Sequence, residues 1–247
     1  MSPRRADPNT RLALVEIAAR LLAEEGPNAM STRRLSAAAG TSTMAVYTHF
    51  GGMDELVREM VHEGFSRLHR LMTQVRKTAD PVADVATLGR AYRHSAIANR
   101  HLYAVMLGGS SLGGFSLTDA DRQHGRYTLA LLVDAVRRCI AAGRYREGDA
   151  ELAAHQLWSA LHGLVTLELG GYLIEPYDAD TCFEPQLRDL MVGAGDSLDA
   201  ATRSVAVSRR RAHGEVEAAA ADLPAGAPPG PARVRVRQAG RPVRTET

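Results

Sequence analysis

The chain has 247 residues, 45% of them apolar and 5% aromatic, with 30 basic and 28 acidic side chains and a formal net charge of +2. That is enough apolar material for one large core or two smaller ones, and the near-balance of charge excludes a chain that is basic throughout. Two cysteines, Cys139 and Cys182, with no Cys-x-x-Cys pair, exclude a disulfide framework; with no apolar run in "MSPRRADPNTR" and a first apolar segment broken by charges, a soluble, cytoplasmic protein without membrane contact is expected.

In chain order the signals are almost all helical. Leu14, Ile17, Ala18, Leu21 and Leu22 share one face of a first helix that follows Asn9-Thr10 and stops at Gly26-Pro27. Leu35 and Ala38 mark a second, short helix, and Ala45, Val46 and Phe50 a third. A long fourth helix carries Met53, Leu56, Val57, Met60, Gly64, Leu68, Leu71, Met72 and Val75 at 3.6-residue spacing, with Asp54 and Glu55 in its dipole-favoured first turn. Asp80-Pro81 opens a fifth element running to about Asn99, and "HLYAVML" a short one after it. "GGSSLGGFSLTD" reads as a flexible connection. A further helix follows over Leu129–Ile140, and residues 149–170 and 185–207 give the last two. From about Leu223 the chain is Pro-, Gly- and Arg-rich and cannot form a core. The expected fold is all-α, with a small N-terminal three-helix unit on a larger helical body.

The most informative stretch is "MSTRRLSAAAGTSTMAVYTHF", residues 30–50. Two helices this short are marginal alone and need the first helix to hold them, which makes a helix-turn-helix. Ser31 caps the second helix, Gly40 ends it, and Ser42 caps the third. Leu35, Ala38, Val46 and Phe50 are expected inside. That leaves Thr43, Met44, Tyr47 and Thr48 on a free face with His49 at its end, and Arg33 at the start of the second helix. Hydroxyls, an imidazole and a guanidinium suit phosphate oxygens and base edges of double-stranded DNA. Arg4, Arg5 and Arg11 form a basic arm in front.

Residues 10–62, including "STRRLSAAAGTSTMAVYTHFGGMDELV", resemble the DNA-binding signature of the TetR/AcrR family of bacterial transcriptional regulators. The resemblance implies a homodimer that represses transcription and leaves its operator when a small molecule enters the body. It implies that Thr32 and Thr43 touch phosphates, that Arg33, Met44 and Ala45 face bases, and that Tyr47 and His49 hold the DNA backbone. Many members carry a lysine where Met53 stands here; Arg4, Arg5 or Arg11 would replace its phosphate contact. "LWSALHGLVTLELGGYL", residues 157–173, resembles a subgroup named for its Trp-His-Gly residues, here Trp158, His162 and Gly163.

Helix 149–170 has a second apolar stripe of mostly small residues, Ala153, Ala160, Gly163 and Leu167, beside the stripe Ala154, Leu157, Trp158, Leu161 and Val165. With Leu187, Leu190, Met191, Ala194 and Leu198 it suggests a four-helix, two-fold interface. Expected lining for an effector pocket is Phe65, Leu68, Tyr92, Tyr103, Met106, Phe115, Tyr127 and Trp158, with His69, His94, His124, His162 and Glu168 as polar candidates. The chain thus divides into a basic arm (1–8), a DNA-binding unit (9–52), a ligand-binding and dimerisation body (53–207) and a basic tail (208–247).

Other chemistry is weakly supported. "GSSLG" at 109–113 fits G-x-S-x-G but lacks the preceding strand of a nucleophile elbow. Histidine pairs seven residues apart, such as His155 and His162, lack metal-site spacing. No cofactor, metal or catalytic residue is expected. Two other functions fit a helical chain: an enzyme processing a small molecule, for which no base and nucleophile assemble, and a dimeric scaffold with a non-functional DNA unit.

Overall fold

Helix follows helix wherever the 3.6-residue periodicity is strong, and among the described residues, 8–107 and 118–221 of this computed structural model, there is no strand. Helix α1 (Pro8–Glu25) buries Leu14, Ala18, Leu21 and Leu22 on one side, with Ile17 half-buried. Helices α2 (Thr32–Ala38) and α3 (Thr43–Phe50) dock on it through Leu35, Val46 and Phe50. Ala38 is not in this core: it is exposed. The link between α2 and α3 depends on Gly40, at φ +62, with Thr41 N–H donating to Ser36 O at 2.9 Å. Any side chain at that left-handed φ carries a steric cost that glycine avoids.

Helix α4 (Met53–Met72) runs from this head into the body; Val75 falls beyond its end and is half-buried. Helix α5 (Pro81–Ala98), capped by Asp80, is buried from Pro81 through Gly89 and forms the body's central rod. Around it lie α6 (Arg100–Met106), α7 (Asp119–His124), α8 (Arg126–Ala141), α9 (Ala150–Leu169), α10 (Ala179–Ala194) and α11 (Leu198–Ala212). Helix α11 lies along α5, α8 packs on α9, and α6 packs on both α1 and α4. The short α7 lies beyond what periodicity signals; a Thr118–Asp121 capping box starts it.

The expected single helix over 185–207 is two helices. Gly195, at φ +123, passes so close to the α8–α9 connection that a Cβ there would sit 2.6 Å from the Arg146 nitrogen, and Ser197 then caps α11. One apolar stripe runs through both helices, so periodicity alone hides the break. Helix α10 also begins earlier than expected: Asp178 caps it, accepting from Thr181 N–H at 2.8 Å, and Pro185 lies inside it. The expected basic tail differs too. Residues 208–221 are helical, through α11, a π-helical turn over His213–Glu217 and α12 (Ala218–Ala221). Residues 222–247, with the Pro-rich stretch, lie outside the described residues, as does the 109–113 "GSSLG".

Charged groups tie the body together. The Asp84 carboxylate, almost fully buried, accepts from Thr78 N–H at 2.8 Å, Thr78 Oγ1 at 2.7 Å, Arg138 Nη1 at 2.8 Å and Arg211 Nη1 at 2.6 Å. Arg144 holds Asp196 by two bonds, 2.8 and 2.6 Å, and reaches Asp80 at 3.3 Å. At the head–body junction Arg67, 2% exposed, donates to Glu63 at 2.7 Å and to Asn99 at 2.9 Å, and pairs with Glu16 of α1. His101 of α6, its pKa lowered by burial, sets its Nε2 3.1 Å from Glu24 Oε1 of α1.

Candidate nucleic-acid interface and internal cavity

Two serines set up the N-terminal face. Ser31 Oγ accepts from Arg34 N–H, and Ser42 Oγ from Ala45 N–H, each at 3.3 Å. These bonds satisfy first-turn amides that the short helices cannot pair themselves. On α3, Val46 and Phe50 turn inward and the opposite face is left to solvent. Thr43, Met44, Tyr47 and Thr48 share that outer face, with Met44 68% and Tyr47 52% exposed. Met44 and Tyr47, three residues apart, thus stand side by side on the solvent face of the helix.

The other expected contact residues are distributed around this face. Arg33 and Ser42 are exposed, while Thr32, Ala45 and His49 are half-buried. Thr48 Oγ1 already donates to Met44 O at 2.8 Å, so toward a partner it can only accept. Arg11 pairs with Glu59 at 2.6 Å and lies 5.5 Å over the Phe50 ring, which occupies its charge within the chain. Met53 is half-buried. Arg4 and Arg5 lie outside the described residues.

The body encloses a cavity of about 310 Å³ among α4, α5, α6, α8, α9 and α10. Phe65, Leu68, Tyr92, Tyr103, Met106 and Trp158, six of the candidate lining residues, border it. His69 is elsewhere, edge-on to Tyr127 at 4.8 Å, and neither lines the cavity. Glu168 is taken by Arg93 in two bonds of 2.8 and 2.7 Å, and His94 is half-buried away from the cavity. Phe115 and the side chain of His124 lie outside the described residues. His162 stands behind the wall, with its Nδ1 2.6 Å from Tyr103 Oη and 3.1 Å from Tyr92 Oη. Burial lowers the His162 pKa and raises both phenols, so a neutral imidazole faces two protonated hydroxyls.

Several lining residues escape sequence reasoning, among them Leu88, Leu132, Leu161, Leu187, Met191 and His155. For His155 a signal exists: His155, Trp158 and His162 fall on one face of α9 at i, i+3 and i+7.

The outer face of α9 and α10 is the expected dimer face. Gly163 and Leu167 are exposed, and Ala153, Ala160, Leu190 and Ala194 half-buried. A Cβ added at Gly163 would meet nothing within 4 Å. The Trp-His-Gly trio therefore divides: Trp158 and His162 turn toward the cavity side and Gly163 outward. Three of the expected interface residues reach the cavity, the half-buried Leu190 among them. Leu187 and Met191, 6% and 1% exposed, point inward and line the cavity, because α10 crosses the body with that stripe toward α5. Leu198 is exposed but belongs to α11. Tyr172, Ile174 and Tyr177, in the α9–α10 connection, form an exposed apolar group that no periodicity marks.

Residues 14–60 match the family described as bacterial regulatory proteins, tetR family, and residues 85–190 match the tetracyclin repressor-like C-terminal domain. An HTH-type transcriptional regulator of Haemophilus influenzae is 40% identical over 80 residues, spanning 32% of this chain and 39% of that protein. A second, from Mycobacterium tuberculosis, is 26% identical over 187 residues, spanning 74% of this chain and 81% of that protein. The solved structure of PfmR, a TetR family transcriptional regulator from Thermus thermophilus, superposes with a TM-score of 0.60 at 25% identity, over 74% of this chain and 99% of that one.

Proposed function

The chain belongs to the TetR family of bacterial regulatory proteins, and from that premise we propose that it is a homodimeric repressor, released from its operator by a small molecule held in the body cavity. The observation that carries this reading is the outer face of α3, where Met44 and Tyr47 stand exposed among hydroxyl groups while Val46 and Phe50 secure the helix from behind. In the major groove that face brings Thr43, Tyr47 and Thr48 to phosphates and Met44 to base edges, and Arg33 reaches a guanine from the start of α2.

Two such heads are needed to read half-sites about 34–36 Å apart. The small outer residues of α9, with Gly163 open, allow close approach of a two-fold mate. Ligand and operator prefer different body conformations, so each weakens the other's binding. Helix α4, rooted in both units, carries the difference: its Leu56 and Val57 are buried near the head and its Phe65 and Leu68 line the cavity. Work as a DNA-bound regulator places the protein in the cytoplasm and assigns it no enzymatic step.

A gel shift with the promoter of its own gene, at two salt concentrations, tests the reading. A sequence-specific shift that weakens as salt rises is expected, since each neutralised phosphate releases counterions. A purified chain that shifts no genomic fragment at low salt would refute it.

A further inference from the structure

The cavity has a defined hydrogen-bonding polarity. Following each proton in turn, Trp158 Nε1–H donates to Tyr92 Oη at 3.4 Å. Tyr92 Oη lies 3.1 Å from Tyr103 Oη, which lies 2.6 Å from His162 Nδ1. The neutral His162 keeps its proton on Nε2, 3.5 Å from Thr166 Oγ1. Thr128 Oγ1 donates to Gly125 O at 2.6 Å. Among the described residues, these side-chain donors of the aromatic wall and of Thr128 thus have partners within the protein.

An acceptor remains. His155 Nδ1 lies 2.8 Å from Glu151 O. A carbonyl only accepts, so that nitrogen carries the proton and Nε2 presents a lone pair. Among the described residues Nε2 has no partner, and the ring lines the cavity. At the mouth, the exposed Arg126 guanidinium pairs with the Glu151 carboxylate at 3.0 Å and donates to the Gln123 amide oxygen at 3.1 Å, so the charged pair there is neutral overall. Burying an unpaired charge is costly.

We infer that the cavity takes an uncharged, mainly apolar molecule bearing a hydroxyl that donates a hydrogen bond to His155 Nε2. This deepens the effector reading above and rests on it for its biological use. The size follows from volume: a dry cavity of about 150 Å³ holds benzene, so about 310 Å³ suits two linked rings.

Trp158, the one tryptophan of the chain, lines the cavity and reports its occupancy. The test titrates the full chain, without DNA, by Trp158 fluorescence at pH 8. The probes are 4-cyclohexylcyclohexanol, its methyl ether, 4-cyclohexylcyclohexanone and 4-cyclohexylcyclohexanecarboxylate. The alcohol is expected to bind about tenfold tighter than the ether or ketone, the worth of one hydrogen bond, and the carboxylate at least about a hundredfold more weakly. In His155→Leu the alcohol should fall to the level of the ether while the ether itself changes little. An ether or ketone equal to the alcohol, a carboxylate that binds best, no binding by any of the four, or a retained preference in His155→Leu each overturns the assignment. An alcohol that binds selectively yet leaves the promoter shift unchanged refutes the effector reading instead.

Discussion

Replacing Gly64 by alanine probes the contact between the cavity wall and the helix that enters the head. A Cβ at Gly64 would lie 2.4 Å from Met106 Cγ and 2.6 Å from its Sδ, with Leu102 Cβ at 3.6 Å. Both short contacts fall on one flexible side chain, and that side chain lines the cavity. Overpacking of this kind costs about 1–3 kcal/mol, and glycine to alanine inside a helix returns about 1 kcal/mol. The net loss is about 0–2 kcal/mol, or a Tm lower by up to roughly 8 °C at this chain size. The methionine relieves the clash by rotating, and the open side is the cavity. Two of its atoms moved into ligand space remove roughly 1.5 kcal/mol of apolar burial from a bound molecule, about a tenfold loss in ligand affinity. The assay pairs a Trp158 titration with the cyclohexyl alcohol and a promoter-binding titration without ligand. Ligand affinity should fall about tenfold and promoter affinity stay within about twofold. A promoter affinity that falls as far as the ligand affinity would show that Gly64 shapes the head directly, and the reasoning would fail.

Four other outcomes are expected. Arg33→Ala should cost about 1–3 kcal/mol in operator binding and relax base preference, whereas Tyr47→Phe and His49→Ala should weaken all sequences alike; competition gel shifts with single-base operator variants separate the two patterns. Gly163→Leu should leave the subunit folded, since nothing lies within 4 Å of a Cβ there, yet shift light scattering from dimer to monomer; an intact dimer would move the interface elsewhere. Burial pushes the Asp84 carboxyl up, but the bonds from Thr78, Arg138 and Arg211 outweigh that and carry it below the usual carboxylate range. A depressed folded pKa stabilises above the unfolded value near 4 and loses that contribution as pH falls through the folded one, so Tm should drop steeply below about pH 4. Asp84→Asn should flatten that limb and, by taking the carboxylate from half-buried Arg138 while Arg211 keeps Glu215, cost about 1–3 kcal/mol at pH 7, read by denaturant unfolding.

The N-terminal unit is legible in the sequence because its determinants are local. Serine caps, a glycine at φ +62 and an inward Val46–Phe50 pair all act within one or two helical turns, and such signals survive in a linear string. Ala38 is misread because a seven-residue helix gives periodicity too few points to assign its face. In the body Phe65, Tyr92, Tyr103 and Trp158 border the cavity, but His69 and Tyr127, of similar chemistry and also candidates for it, pack on each other outside it.

The amino-acid sequence by itself determined that this chain is helical, where its short reading helices start and stop, and which face of α3 stays outside, because capping, turn geometry and 3.6-residue periodicity are properties of neighbouring residues. Only the tertiary structure decided that Leu187 and Met191 line the cavity instead of meeting a second subunit, that the last long stripe breaks at Gly195, and that Asp84 is matched by arginines 54 and 127 positions away. Those outcomes depend on how helices distant in the chain cross, and an apolar stripe records that it must be covered without recording what covers it.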